Sequence, residues 1–455
     1  MIKKTILSMA ALCSLSALQA QTNPAILNWL QNTSVTARHY VSGNSTPIND
    51  ATIVNVQQVE YSANYVYIHT SGVPAYVTGP FLDGNPSVAT DQSVIFKFPL
   101  NPTQNTGTPT STTMGNIGVF INGVALFDYR DGVAWNTATN AYCGGPGNPP
   151  CSGQTYWNRD AVVAEKPGFD CSKGHPAMGN YHHHQNPSAY KLDLNVISTI
   201  CNLYDADGLY TIDSTQHSPL IGFAYDGFPI YGAYGYKNAD GSGGIVRIKS
   251  GYQLRSITDR TVWADGTNVP DGPVVNTTYP LGTFKEDYEF ISHPGQEDYL
   301  DEHNGRFCVT PEYPAGIYCY FATVDANWNS AFPYAVGPTF YGVYAASTVT
   351  NISESTTVYT PSANAISEEE ISMMQMNIYP NPASDLIAVQ VNGLVKENME
   401  ISLFDMSGRL IETKTLFQGS TIIYFDAKTL YSGQYIVRLN HNNGSVTGKV
   451  IIMKD

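Results

Sequence analysis

The sequence predicts a mainly β protein: a large β-rich domain with long ordered loops, followed by a linker and a small antiparallel β-sandwich. Three observations predict it. Tyr (31), Gly (39) and Pro (27) are abundant while charged residues make up only 13%, a balance that favours strands and turns over helices. Residues 51–79, "ATIVNVQQVEYSANYVYIHTSGVPAYVTG", alternate apolar and polar side chains with the two-residue period of a strand. Near the C-terminus the composition changes to Ser, Thr, Asn and Glu over 347–375, and short alternating runs resume beyond it. With 455 residues, 42% of them hydrophobic, the chain can bury a core in two or three domains.

Taken in order, the elements begin with a targeting segment at 1–20. "MIKKTILSMAALCSLSALQAQ" carries Lys3 and Lys4, an apolar run from Ile6 to Leu18 and Ala20 at the expected cut. That run is shorter than the roughly 20 residues of a spanning helix, and no other stretch is apolar enough to be a membrane-spanning segment. The cargo follows, with an N-terminal β part at 21–91 and the large domain at 92–346; the linker is 347–375 and the sandwich 376–455. A formal charge of -15 and a pI near 5.0 exclude nucleic acid as a partner and favour cations.

The final segment, Met376 to Asp455, carries "YPNPASD", "DMSGRL", "LYSGQYIVRL" and the closing "GKVIIMK", in that order. On these motifs it resembles the C-terminal sorting domain of the type IX secretion system of Bacteroidetes. The resemblance implies passage through the periplasm, the type IX machinery as partner, and a secreted or outer-surface destination, the tail commonly being clipped off on arrival. It implies nothing about the chemistry of the cargo.

Cysteine usage agrees with export. Beyond Cys13, in the targeting segment, six remain: Cys143, Cys151, Cys171, Cys201, Cys308 and Cys319, an even set suited to an oxidising compartment. Cys143 and Cys151 bracket the turn-rich "GGPGNPP", and Cys308 and Cys319 bracket what reads as two strands around a turn. Cys171 and Cys201 are left as the third pair. Three disulfides are the expectation.

The stretch "GHPAMGNYHHHQNP" from Gly174 to Pro187 holds four of the ten histidines. If Asn180–His184 is a strand, His182 and His184 share one face and Tyr181 and His183 the other. Two imidazoles so placed can share a Cu, Zn, Ni or Fe ion, Cu or Zn being the leading choices; calcium, which takes oxygen ligands, is the lesser choice of cofactor and would belong to the Asp205–Asp213 stretch. His175 is the first choice for a third ligand and His217 the second, with Glu302 and His303 of "DEHNGR" as possible additions. The competing reading is that these imidazoles hydrogen-bond and stack within a tyrosine-rich sheet.

Around this stretch stand "VIFKFPLNP", "GNIGVFINGVALFDYRDG", "YDADGLYTIDSTQHSPLIGFAYDGFPIYGAYGY" and "YLDEHNGRFCVTPEYPAGIYCYF". In this succession the chain resembles the YHYH domain, named for a Tyr-His-Tyr-His signature that reads here Tyr181-His182-His183-His184. The resemblance implies a domain and candidate residues, with no reaction attached. "GNYHHH" is also echoed by "GIYCYF" at 316–321; were the two strands neighbours, Cys319 would face the histidines. There is no repeat of 20–50 residues.

Other signals are weaker. Asp205, Asp207 and Asp213 offer closely spaced oxygens, but Gly208 falls too early for an EF-hand and a turn is the simpler reading. A Gly-x-Ser-x-Gly elbow, a phosphate-binding glycine loop and a His-Glu-x-x-His helix are all missing from the sequence. Three classes of function remain: a secreted metal-binding protein, a metal-dependent extracellular enzyme that would use an acid or base such as Glu302, and a structural or adhesive surface protein.

Overall fold

The computed structural model describes residues 23–84, 87–152, 155–195, 198–204, 207–344, 347–360, 375–392, 395, 398–441 and 444–454. The targeting segment and Asp205 lie outside these. About 40% of the chain is strand and 6% helix, which makes the protein mainly β. The centre of the cargo is an eight-stranded sheet built from β1 (Asn116–Phe120), β2 (Ala125–Phe127), β3 (His175–Ala177), β4 (Asn180–His183), β5 (Leu220–Ala224), β6 (Pro229–Tyr231), β7 (Gly305–Cys308) and β8 (Ile317–Phe321). Their spatial order is β3-β4-β2-β1-β5-β6-β8-β7.

That order is symmetric about the β1–β5 pair, and so is the register. Gly118 pairs with Leu126 and Val119 with Ala125 in one half; Gly222 pairs with Ile230 and Phe223 with Pro229 in the other. At the axis Gly118 faces Ala224 and Phe120 faces Gly222. The two glycines are needed there, because a Cβ on Gly118 would stand 2.7 Å from the Phe223 carbonyl oxygen and one on Gly222 2.6 Å from that of Val119. Further out, β4 runs parallel to β2 and β8 parallel to β6, and each is closed by an antiparallel hairpin with β3 or β7. The echo between "GNYHHH" and "GIYCYF" therefore marks equivalent strands at opposite ends of one sheet. They are not neighbours, and Cys319 does not face the histidines.

Each hairpin is tied by the same buried clamp. Asp170 Oδ1 accepts from the backbone N of Ser172 (3.0 Å) and Gly174 (3.1 Å), and its carboxylate accepts the Tyr181 hydroxyl at 2.9 Å. Asp301 Oδ1 accepts from the N of His303 (2.9 Å) and Gly305 (3.1 Å) and takes the Tyr318 hydroxyl at 2.9 Å. Lys173 (φ 64°) and Asn304 (φ 62°) turn each loop through the left-handed region. A Cβ on Gly174 or Gly305 would stand 2.3 Å from the phenol oxygen it faces.

A second sheet lies in front, in the order Ser347–Val349, Val94–Pro99, Tyr65–Thr70, Val56–Tyr61 and Thr357–Tyr359. Its inward side chains, among them Val59, Val66, Ile68, Phe96 and Phe98, share one core with Val119, Phe120, Phe223 and Ile230 of the central sheet. The start of the stretch expected as linker thus supplies both edge strands of this sheet, as its Thr and Val content permits. Residues 361–374 lie outside the described part.

The C-terminal unit is a sandwich of a three-stranded and a four-stranded antiparallel sheet with its own core, including Ile387, Val389, Leu403, Phe425 and Val437. Disulfides join Cys143 to Cys151 and Cys171 to Cys201. The expected third bridge requires correction: Cys308 and Cys319 are buried thiols with sulfurs 3.9 Å apart. Cys308 is registered opposite Ile317 and Cys319 opposite Arg306, so the two cysteines are diagonal neighbours. A diagonal spacing exceeds the roughly 3.8 Å between Cβ atoms that a disulfide prefers.

Two outcomes follow from this packing. Gly174→Ala and Gly305→Ala should each lower stability by about 1–3 kcal/mol or more, the usual cost of forcing atoms into a filled core, as read from denaturant midpoints. Thiol labelling of the unfolded, unreduced chain from residue 21 onward should find Cys308 and Cys319 reactive and the other four cysteines blocked.

Candidate metal centre

The hairpin β3–β4 places His175 directly opposite His182. His184 follows β4 immediately and projects to the same side as His182, and the ligand nitrogens of His175, His182 and His184 all lie within 4.8 Å of one another. The Nε2 atoms of His182 and His184 are 3.1 Å apart. All three residues are buried, at 6%, 2% and 3% exposure.

A fourth group, absent from the sequence reading, completes the cluster. Glu165 Oε2 lies 3.1 Å from His184 Nε2 and 3.3 Å from His175 Nε2. It arrives from the end of a five-residue helix, Ala161–Glu165, which Asp160 caps by accepting from the N of Val162 (2.9 Å) and Val163 (3.3 Å). The other oxygen of Asp160 accepts the Tyr334 hydroxyl at 2.7 Å, and burial pushes this carboxyl up to about 7. The legible signal was "DAVVAEKPG", an N-cap residue followed by a short run and a proline stop. Nothing in it said that the helix end meets the histidine hairpin.

Hydrogen bonding fixes which nitrogens face inward. His182 Nδ1 donates to the Asn180 carbonyl at 2.9 Å and His184 Nδ1 to the Asp128 carbonyl at 2.5 Å. In the neutral rings both Nε2 atoms then carry lone pairs. They point at each other, beside a carboxylate that also only accepts. His175 has no hydrogen-bond partner for either ring nitrogen. The inward Nε2 atoms of His182 and His184 and the Glu165 carboxylate are acceptors that face one another, an arrangement that calls for a cation, either a proton or a metal ion. A proton meets this need at His184 but not at His182. Burial and the neighbouring imidazoles hold His182 well below the ordinary value, while His184 is raised, Glu165 overcoming the effect of burial. The Glu165 carboxyl is buried, yet the two histidines bring it below the usual carboxylate range.

Aromatic rings set the walls. Phe127 stacks on His182 at 3.7 Å between centroids, and Phe169 meets His175 edge-on at 4.9 Å. Tyr181 and His183 point to the opposite face. His183 is fully occupied there: Nδ1 donates to the Lys173 carbonyl at 2.9 Å and Nε2 accepts from the Tyr76 hydroxyl at 2.7 Å. Burial lowers this imidazole to about 3, so it stays neutral.

Residues 95–333 match the family described as YHYH protein. The chain belongs to the YHYH family. Residues 377–453 match the secretion system C-terminal sorting domain, which marks this YHYH protein for export by the type IX route to the cell surface or the extracellular space. No helix among the described residues is long and apolar enough to cross a membrane. No curated protein matches the chain.

The remaining candidates fall elsewhere. His217 packs against Tyr231 (5.2 Å) and Tyr236 (5.0 Å), with Nδ1 bonded to the Ser218 carbonyl at 2.7 Å. It precedes β5, which β1 and β2 separate from β4, so closeness in sequence did not become closeness in space. Glu302 and His303 belong to the opposite hairpin, where the Glu302 carbonyl accepts the Tyr252 hydroxyl (2.9 Å) and His303 Nδ1 lies 2.7 Å from Thr339 Oγ1. Asp213 accepts from the N (2.8 Å) and Oγ1 (2.6 Å) of Thr215, which is the hydrogen bonding of a turn.

Because His183 satisfies two buried groups, His183→Ala should cost about 2–4 kcal/mol of stability in chemical denaturation. The chemical shifts of the His182 and His184 rings should remain close to those of the parent protein.

Proposed function

We propose that this exported YHYH protein binds one transition-metal ion, copper or zinc, through His175, His182, His184 and Glu165. The observation that carries the reading is the convergence of three buried imidazoles and one carboxylate, with the Nδ1–H groups of His182 and His184 held by backbone carbonyls as those of metal-ligating histidines commonly are. His217, Glu302 and His303 are dropped from the ligand set because they lie away from the histidine hairpin, His217 before β5 and the other two at the opposite end of the sheet.

The opposite half of the sheet supports it by contrast. The position of His175 is taken there by Arg306, that of His182 by Cys319 and that of His184 by Phe321. The Arg306 guanidinium is a permanent cation, donating to the carbonyls of Lys237 (3.1 Å), Tyr236 (2.5 Å) and Glu297. One half carries its own positive charge, and the other presents ligands for one.

Burial of all three histidines favours a closed, four-ligand centre over a hydrolytic one, which keeps a position open to water. The enzyme reading is therefore second to the binding reading. The domain division also belongs to this proposal: a signal peptide at 1–20, cargo at 21–346 and a sorting domain at 376–455 that the machinery reads.

Metal analysis of protein purified without an affinity histidine tag should find about one equivalent of copper or zinc. The His182→Ala/His184→Ala double variant should lose it. Glu165→Gln should weaken binding at least ~10-fold, the loss that even an outer partner of a ligand typically causes. Uptake should fall as pH drops through the raised range of His184, which must give up its proton to bind, whereas His182, held low by burial, is already neutral there. A parent protein that carries no metal and takes none up from solution overturns the proposal.

A further inference from the structure

In the three-stranded sheet of the C-terminal sandwich, the strands Leu386–Asn392 and Ile422–Asp426 carry buried residues on both faces. Ile387, Val389 and Val391 of the strand Leu386–Asn392, with Ile423 and Phe425 of the strand Ile422–Asp426, point into the sandwich's own core. The alternate positions, which in a free two-sheet sandwich would meet water and be polar, include Ala388, Ile422 and Tyr424, and these three are buried, as is Gln390. The first three pack on Phe169, Tyr190 and Leu192 and on the Cys171–Cys201 disulfide of the cargo. The four-stranded sheet behaves differently, leaving Glu400 and Arg438 exposed on its outer side.

The turn that leads into the strand Ile422–Asp426 adds polar contacts. Phe417 lies under the Arg38 guanidinium at 4.0 Å, and Thr421 Oγ1 donates to the Leu209 carbonyl at 2.9 Å. The fully buried Asn55 points its Nδ2 at the Gly419 carbonyl at 3.5 Å. Gly419 is fitted to that approach: its φ is +78°, and a Cβ there would stand 2.1 Å from Asn55 Nδ2. Cavities of about 440 and 370 Å³, each lined by residues of both units, flank the contact.

We propose that the sorting domain is a fitted cover on the cargo, held by this non-covalent surface as well as by the connecting chain. Its docking partner is the Phe169–Leu192 face beside the histidine hairpin. Cutting the connection alone then leaves the tail bound, and release requires separating the two surfaces. This stands independently of the metal reading.

The test uses the full chain with a site-specific protease sequence placed between residues 361 and 374. After complete cutting, the two pieces should co-elute in gel filtration at micromolar concentration. Tyr424→Asp on the tail and Leu192→Asp on the cargo should each make them separate, while Arg438→Glu on the outer face of the other sheet should leave them together. Because the two disrupting changes sit in different units, unfolding of one unit does not account for both; denaturation of each uncut variant checks that both units remain folded. The proposal is overturned if the parent pieces separate on cutting, or if both disrupting variants co-elute as the parent does.

Discussion

Asp170 has no access to water, and a carboxylate so placed is tolerable only if its oxygens are filled. They are. Besides the Ser172, Gly174 and Tyr181 donors, the N of Gly79 reaches Oδ2 at 2.8 Å. Pinning Tyr181 to Asp170 fixes the face of β4 on which Tyr181 and His183 lie. Since strand side chains alternate, this sends His182 and His184 to the other face. A slip of one residue would bury the wrong pair. The candidate centre thus depends on a carboxylate that is not itself part of it.

The same device recurs through the domain. Tyr318 is held by Asp301, Tyr320 by Asp226 at 2.6 Å and Tyr334 by Asp160 at 2.7 Å. Each pair buries a large ring and satisfies its hydroxyl at once, so these four tyrosines, Tyr181 included, enter the core with their polar ends paired. The two-fold arrangement multiplies the device and then departs from it at the outer strands. There one hairpin carries histidines and the other carries Arg306 and two thiols, so a shared scaffold supports different chemistry at its two ends.

At the histidine end, alternation alone separated His182 and His184 from His183 in the sequence. Gly174, Pro176 and Gly179 gave His175 the means to turn back toward His182. Glu165 was not separable in this way. It lies ten residues upstream on a helix whose direction is set by the Asp160 cap and by the Asp160–Tyr334 bond, and Tyr334 is distant in sequence. His217 was drawn in by counting histidines along the chain, a measure blind to the two strands inserted between β4 and β5.

By itself the sequence determined the mainly β class, the export route carried by four ordered motifs in the tail, two of the disulfide pairs and the shared face of His182 and His184. These are local properties, set by composition, short motifs and a two-residue period. Only the tertiary structure decided the rest. It set the eight-strand order with its hidden two-fold relation, the diagonal offset that keeps Cys308 and Cys319 apart, the arrival of Glu165 and the burial of the tail's outer sheet face. Each of these depends on which elements become neighbours in space and in what register, a choice made by the joint satisfaction of core packing and buried hydrogen bonds, which no local pattern encodes.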